Sequence, residues 1–461
     1  MSFPKEFMWG VATASYQIEG SPYRAGGGRS VWDMFCDRPG KIHDASSGAV
    51  ACDHVHRYRE DVALMRELGI PHYRFSISWP RVMPEGTGRI DPEGLAFYDR
   101  LIDELLAAGV QSHVTLFHWD LPYDLYLRGG WLNRDSADWF ADYAKVVIDK
   151  IGDRVASWMT LNEPQCFIGL GMHQGLHAPG DQIGFREVLL AGHHALLAHG
   201  KGVQAIRAGV DKPTRIGWAP VGAPKIPKTE SALDIEAART ATFQTEGKTV
   251  WSNTWWNDPV FFGKYPEFEV EHFGSDAPVP RDGDMELIAQ PLDFFGANIY
   301  NGQVVEAGPE GKPVEISHPI GAARTLYHWP VTPDALYWGC RFFHERYGKP
   351  IVITENGLGL SDWVGSDGEV HDPQRIDFLN RYLLSLRRAS EDGIPVDGYF
   401  QWTLMDNFEW HEGYRIRFGL VHCDFDTLKR TPKESAYWYR EVIQSNGDSL
   451  KPPVASSGPT I

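Results

Sequence analysis

Two glutamates stand where apolar stretches of this 461-residue chain end. Glu355 follows the apolar run at 350–353 and is followed closely by Gly357, a pattern typical of a buried strand that ends at a turn. Glu163 ends a similar β-prone run at 157–162. Because an unpaired buried carboxylate costs several kcal/mol, two glutamates at such positions indicate either specific partners or a catalytic function.

Two carboxyl groups that face each other across a cleft can cleave a glycosidic bond without a metal or a cofactor. In the retaining form of this reaction they stand roughly 5 Å apart. One attacks the anomeric carbon, and the other donates a proton to the leaving oxygen and later deprotonates a water molecule. The proton donor needs a raised pKa, and a nearby ionised carboxylate supplies part of that rise. No metal and no cofactor are therefore predicted.

Eight predicted strands, separated mostly by amphipathic stretches, would have to bring the two glutamates together. The strands are at 8–13, 72–77, 112–118, 157–163, 215–219, 294–300, 351–355 and 396–402. The amphipathic stretches are at 58–68, 95–108, 137–151, 188–207 and 373–390. Strand and helix alternating in this way predict an α/β fold, a single (β/α)₈ TIM barrel.

Long connections at 220–293, 306–333 and 358–372 predict βα-loop insertions that wall the face where a barrel has its active site. The barrel domain is predicted to span 1–445. The Ser-, Pro- and Gly-rich segment 446–461 is predicted to be a disordered tail.

Polar or aromatic residues lie in or after the ends of at least seven predicted strands. A closed barrel would turn them towards one concave face at the carboxyl ends of its strands, here called the bowl. Any single one could equally be a loop residue that water or backbone satisfies. The set includes Gln17, Arg74, His118, Asn162, Glu163, Asn298, Tyr300, Glu355, Trp402, Glu409 and Trp410.

The overall composition excludes several classes of partner. The formal net charge of −17 argues against nucleic acid and anionic membranes, which need basic surfaces. The N-terminal residues lack a long apolar stretch and no run of about 18 apolar residues occurs, so neither a signal peptide nor a transmembrane helix is expected. Its five scattered cysteines favour a reducing compartment, so a cytoplasmic location is expected. Seventeen tryptophans suit sugar rings, although a large core could also use them. The oligomeric state stays open.

Six stretches resemble the signature segments of family 1 glycoside hydrolases, the β-glucosidase family. They occur in the same order as in the family. The resemblance as a whole extends from residue 3 to about residue 439. Their bounds are 7–20, 73–81, 118–122, 160–164, 353–357 and 406–410.

The resemblance implies a retaining β-glycosidase, most simply a β-glucosidase. It would remove terminal β-D-glucosyl residues from β-glucosides and cello-oligosaccharides, and activity on β-galactosides or β-fucosides stays open. Glu355 would be the nucleophile and Glu163 the acid/base. Arg74 and Tyr300 would hydrogen-bond Glu355, and Asn298, a third supporting residue, would hold Glu163 and its surroundings.

The resemblance also implies the sugar-binding residues. Asn162 would bind the 2-hydroxyl, Trp329 would belong to the aglycone site, and Phe418 would line the rear of the glycone pocket. The remaining hydroxyls and the face of the ring would be held by Gln17, His118, Trp402, Glu409 and Trp410.

Two departures from the family pattern limit what carries over. Many members have Trp after the acid/base motif, whereas this chain has Gln165 and then Cys166, so leaving-group preference is left open. Glu409 and Ile416 stand where the 6-phospho-glycosidase branch has Ser and Lys. Unphosphorylated sugars are therefore expected.

Other interpretations are weaker. The His54 and His56 pair could suggest a metal site, but it lies about 40 residues past the first strand, where barrel metal ligands are not expected. A catalytically inactive sugar-binding barrel and a transglycosidase on the same scaffold are the two alternatives to a hydrolase.

Overall fold

A computed structural model of the chain describes residues 3–452. Eight parallel strands close into a barrel in which each strand pairs with its neighbours in the chain and the last pairs with the first. The strands are β1 (Met8–Ala12), β2 (His72–Ser76), β3 (Gln111–Phe117), β4 (Ser157–Asn162), β5 (Arg215–Ala219), β6 (Phe294–Asn298), β7 (Ile351–Asn356) and β8 (Val396–Trp402). The predicted (β/α)₈ barrel is confirmed, and every predicted strand is present to within two residues.

Helices surround the barrel. The longer ones are His54–Glu67, Pro92–Ala107, Ser136–Ile151, Phe185–Gly209, Ala232–Phe243, Asn253–Phe262, Asp334–Tyr347, Pro373–Glu391 and Glu434–Gln444. Shorter ones are Ser15–Ile18, Val31–Cys36, Trp79–Val82, Tyr123–Leu127, Glu267–Phe273 and Asp284–Ile288, with a π-helix at Gln165–His173.

Local sequence explains where these helices begin and end. The Asp91 side chain accepts hydrogen bonds from the backbone N–H groups of Glu93 and Gly94, and Pro92 occupies the first turn. These are typical start features, because a cap satisfies free N–H groups and proline has none to satisfy. Gly109 follows the same helix with a φ of 78°, a conformation that favours glycine.

The segments that follow β5, β6 and β8 contain two small sheets that were not predicted. Lys225–Pro227, Gln303–Ala307 and Pro313–Glu315 form one, and Val421–Cys423 pairs with Arg430–Pro432 in the other. All of these strands lie in segments that follow β5, β6 or β8, as insertions in βα loops should.

A buried ion network ties the segments after β7 and β8 together. The Lys433 ammonium lies 2.5 Å from Asp362 and 2.7 Å from Asp406. Asp406 also pairs with Arg417 at 2.8 Å. Because Asp406 begins the segment that carries Glu409, this network positions one wall of the bowl above the barrel.

The prediction of disorder does not hold for residues 446–452. The Asn446 side chain donates to the carbonyl of Phe3 at 2.6 Å and accepts from the indole N–H of Trp9 at 2.9 Å, and Leu450 is buried. This segment therefore packs against the N-terminus. Residues 453–461 lie outside the described residues, and the domain boundary at residue 445 stays a prediction.

Residues 3–452 contain neither a helix suited to a membrane nor a cluster of metal ligands. None of the described helices is long and apolar enough to cross a membrane. No group of three or more His, Cys, Asp or Glu side chains in this range could hold a metal ion. His54 instead pairs with Asp61 at 2.7 Å, and His56 is exposed beside Asp53.

Candidate active site

The two glutamates lie at the carboxyl ends of β4 and β7, in the same bowl. Glu163 directly follows β4 and has a φ of 44°, a strained conformation for a residue with a Cβ and one that is often found at functional sites. Glu355 is the second-last residue of β7. A side chain at Gly357 would collide with the carbonyl oxygen of Trp402, so the glycine lets β7 and β8 end close together.

Glu355 is surrounded by hydrogen-bond donors. Its Oε1 accepts from Nη1 of Arg74 at 2.6 Å, and its Oε2 accepts from the hydroxyl of Tyr300 at 2.8 Å. Burial raises the pKa of Glu355, while the Arg74 charge and the bonds from Arg74 and Tyr300 oppose that rise. The two predicted partners therefore both contact this carboxyl and favour its ionised form.

Glu163 has only neutral donors. Its Oε1 accepts from Nδ2 of Asn298 at 2.9 Å, and its Oε2 lies 3.3 Å from the thiol of Cys166. Burial, and after it the negative charge of Glu355, raises the pKa of Glu163 to about 8. Glu163 is thus suited to hold a proton near neutral pH.

Asn162 links the two carboxyls. Its Oδ1 accepts from Nη2 of Arg74 at 2.6 Å and from Nδ2 of Asn298 at 3.0 Å. A continuous chain of contacts therefore runs from Glu355 through Arg74, Asn162 and Asn298 to Glu163. The two donors to Oδ1 also fix the orientation of the Asn162 amide, so its NH₂ group faces away from them.

His118 is a neutral ring with one free donor. Burial lowers the pKa of His118, and its Nε2 accepts from the NH₂ group of Asn162 at 3.1 Å. In this orientation the ring proton is on Nδ1, which has no hydrogen-bond partner among the described residues. An unpaired buried donor of this kind is available to a ligand hydroxyl.

Gln17 has a free acceptor at the other side of the bowl. Its Nε2 donates to Asn407 at 3.0 Å and to the carbonyl of Phe408 at 2.8 Å, and lies 3.4 Å from Oε2 of Glu409. Its Oε1 has no partner in the part of the chain that the structure describes. Gln17 and Glu409 therefore form a polar pair.

Aromatic rings complete the bowl. The rings of Trp402 and Trp410 both stack on His118, with centroids 5.7 and 5.9 Å away. Trp329 and Phe418 lie 5.4 and 6.2 Å from the ring of Tyr300. With these four rings, the residues predicted from the sequence for the site form one connected set of contacts, which Gln17 and Glu409 join through Tyr327.

Three further residues of this set were not predicted. Cys166 contacts Glu163, Trp119 donates from its indole nitrogen to the carbonyl of Asn162 at 2.9 Å, and the Tyr327 hydroxyl donates to Oε1 of Glu409 at 3.0 Å. Trp119 lies inside the signature segment 118–122, which could have indicated it. Cys166 lies three residues after Glu163, in the π-helix Gln165–His173, whereas Tyr327 lies in a loop whose conformation no sequence pattern encodes.

A cavity of about 440 Å³ lies behind Trp119 and is lined largely by apolar residues such as Tyr126, Trp131 and Phe167. Neither Glu163 nor Glu355 lines it. The groups capable of chemistry are in the bowl, so this cavity is not the site of the reaction.

Two buried carboxyls with different protonation preferences, in a bowl at the carboxyl ends of a barrel, define a glycoside hydrolase. The chain belongs to glycosyl hydrolase family 1, whose model matches residues 1–448.

Characterised relatives agree with this assignment. Beta-glucosidase A of Thermotoga maritima is 43% identical over 450 residues, which cover 96% of this chain and 98% of the relative. Beta-glucosidase A of Acetivibrio thermocellus is 44% identical over 456 residues, with 97% and 99% covered. A solved structure of the Thermotoga maritima beta-glucosidase in complex with glucoimidazole has a TM-score of 0.88 and 42% identity, covering 97% of this chain and 99% of that one. The predicted family, fold and class of enzyme, a β-glucosidase, are confirmed.

Proposed function

We propose that this β-glucosidase removes terminal β-D-glucosyl residues from β-glucosides and cello-oligosaccharides, with Glu355 as nucleophile and Glu163 as acid/base. One observation carries the division of roles. Glu355 accepts from a guanidinium and a phenol, whereas Glu163 accepts from an amide and a thiol. A positive charge favours the ionised form of its neighbour, so Glu355 is the carboxylate and Glu163 is the acid.

In the first step the Glu163 proton moves to the glycosidic oxygen while an oxygen of Glu355 attacks the anomeric carbon from the opposite face. The bond between that carbon and the leaving oxygen breaks, and the sugar becomes an ester of Glu355. Arg74 stays 2.6 Å from Oε1 of Glu355, which holds the attacking carboxylate in place.

In the second step Glu163 acts as a base. Esterification removes the negative charge of Glu355, and the part of the Glu163 pKa rise that this charge causes disappears with it. Glu163 then accepts a proton from water as the water attacks the anomeric carbon. The free carboxylate of Glu355 is restored, and the sugar leaves with its original β configuration.

The free polar atoms of the bowl support binding of an unmodified sugar. The NH₂ group of Asn162 suits the 2-hydroxyl, Nδ1 of His118 can donate to the next hydroxyl, and Gln17 with Glu409 can bind the one after it. A phosphate dianion on the sugar would further disfavour the ionised form of Glu409 beside it. We also propose a cytoplasmic location, since all five cysteines are unpaired thiols.

Azide rescue of two variants tests the roles. Glu355→Ala should lose turnover of 4-nitrophenyl β-glucoside, and azide should restore it with α-glucosyl azide as the product, because azide replaces the nucleophile. Glu163→Ala should give β-glucosyl azide, because azide then attacks the intact ester. If Glu355→Ala gave the β-azide and Glu163→Ala the α-azide, the two roles would be reversed. Full activity of Glu355→Ala without azide would refute both roles.

A further inference from the structure

A tight hairpin in the loop after β6 reaches over the bowl. The backbone N–H of Val331 donates to the carbonyl of Ala323, and that of Thr325 donates to the carbonyl of Trp329, at 3.0 and 2.9 Å. His328 closes the turn with a φ of 60°. The tip of this hairpin carries Tyr327 and Trp329.

Tyr327 is held in a defined position at this tip. Its ring stacks on Trp329 with centroids 4.6 Å apart and planes 10° apart. Its hydroxyl donates to Oε1 of Glu409 at 3.0 Å. Burial raises the pKa of Tyr327, so the phenol stays protonated and remains a donor. Burial also raises the pKa of Glu409 to about 8, and the bond from Tyr327 opposes that rise.

The residues of the bowl follow one another in a defined order on either side of Glu355. From Glu355 one direction passes through Arg74 to Asn162 and His118. The other passes through Tyr300 and Phe418. Beyond Phe418 comes Tyr327, whose ring centroid lies 6.1 Å from that of Phe418. The Tyr327 hydroxyl donates to Glu409, and Glu409 lies beside Gln17.

This order corresponds to the order of substituents on a pyranose ring whose anomeric carbon faces Glu355. Asn162 then matches the 2-hydroxyl, His118 the 3-hydroxyl, and Gln17 with Glu409 the 4-hydroxyl. The next substituent is the hydroxymethyl group on C5. It falls in the sector between Glu409 and Tyr300, where Tyr327 stands.

We infer that Tyr327 is a specificity-determining residue that accepts a hydrogen bond from the 6-hydroxyl of the bound glucose while donating its own to Glu409. This inference rests on the glycone site proposed above. A phenol has one hydrogen to donate and two lone pairs to accept with. Because Glu409 takes the hydrogen, the lone pairs are left for the sugar, and the stacked Trp329 keeps them in place.

The test compares Tyr327→Phe with the wild type on three 4-nitrophenyl β-glycosides: the glucoside, the 6-deoxyglucoside and the xyloside. The variant keeps the ring and loses only the hydroxyl. On the glucoside kcat/KM should fall roughly tenfold, the loss expected for one buried hydrogen bond. On the two substrates without a 6-hydroxyl it should fall by less than about threefold, because they have no such bond to lose.

The pattern of losses decides the outcome. A similar loss on all three substrates would mean that Tyr327 only holds Glu409, and no loss on the glucoside would mean that it does not meet the sugar. Either result overturns the inference. Tyr439→Phe is the matched control, because the buried hydroxyl of Tyr439 donates to the carbonyl of Gly10 at 2.9 Å, away from the bowl. This variant should have the wild-type kcat/KM on all three substrates.

The proposed function fails separately from this inference. If the wild type does not hydrolyse the glucoside, or if Glu355→Ala retains its activity, the proposed site is wrong and the inference falls with it. If both behave as expected and Tyr327→Phe shows no selective loss, only the inference is wrong.

Discussion

Replacing Tyr300 by Phe removes one hydrogen-bond donor to the nucleophile Glu355 and leaves the other contacts of both residues in place. The lost group donates to Oε2 of Glu355 at 2.8 Å. The ring would still pack on Trp329 and Phe418. Arg74 would still bond Oε1 at 2.6 Å. The variant therefore isolates the contribution of one neutral donor to the ionisation of a buried carboxylate.

The size of the effect follows from that single bond. A hydrogen bond to a charged group contributes about 1.5–3 kcal/mol, and about 1.4 kcal/mol corresponds to one pKa unit. Burial already raises the pKa of Glu355, and the Tyr300 bond opposes that rise. Without the bond, we expect the pKa of Glu355 to increase by about one to two units.

The assay is kcat/KM for 4-nitrophenyl β-glucoside as a function of pH. Glu355 must be ionised to attack, so activity is lost as the pH falls through its pKa. A raised pKa moves this acid limb to higher pH by about one to two units. The alkaline limb reports the loss of the Glu163 proton, whose pKa is about 8, and should shift by less than about half a unit.

Two results would refute this reasoning. An acid limb at the wild-type position would mean that Tyr300 does not stabilise the ionised nucleophile. An equal loss at every pH would mean that the hydroxyl acts on substrate position alone. Tyr439→Phe again serves as the control for losing a buried tyrosine hydroxyl, and its pH profile should match that of the wild type.

Three further predictions concern the acid/base and the stability of the fold. Glu163→Ala should reduce kcat/KM by a much larger factor on alkyl glucosides than on 2,4-dinitrophenyl glucoside, which needs no proton to leave; equal losses would contradict the role of the proton donor. Cys166→Ser should move the alkaline limb to lower pH by up to about one unit, because a hydroxyl is a stronger donor to the ionised Glu163 than a thiol, whereas the buried and distant Cys340→Ser should not shift it. Lys433→Met should lower the free energy of unfolding in urea by about 3–5 kcal/mol, since it removes a buried positive charge that pairs with both Asp362 and Asp406 and leaves the network one positive charge short, even though Arg375 and Arg417 remain; a loss below about 1 kcal/mol would show that Lys433 contributes little.

The barrel was predictable because its strands are short apolar runs that end in polar residues. The run at 350–353 predicts a strand that ends near Glu355, and β7 extends only one residue further, to Asn356. The small sheet of Lys225–Pro227, Gln303–Ala307 and Pro313–Glu315 was missed because these strands are mostly three residues long and lack alternation.

The site was predictable where its residues belong to the signature segments, to strand ends or to other positions that match the family. The bonds of Arg74, Asn162 and Asn298 involve residues of those segments or of the strands themselves. Tyr327 contacts Glu409 across 82 positions of the chain, and the contact depends on the conformation of a hairpin in a long loop. The Ser- and Pro-rich composition after residue 445 wrongly predicted disorder at Asn446. A segment of this composition can still be ordered when a side chain such as the Asn446 amide donates a hydrogen bond to Phe3 near the N-terminus.

The central claim is that a covalent glucosyl ester forms on Glu355. The most direct measurement is to incubate the enzyme with 2,4-dinitrophenyl 2-deoxy-2-fluoro-β-glucoside, whose fluorine slows hydrolysis of the ester more than its formation, and to map the label by peptide mass spectrometry. We predict one fluoroglucosyl group per chain, attached to Glu355. A label on Glu163, on any other residue, or on none while the intact substrate is turned over would contradict the account.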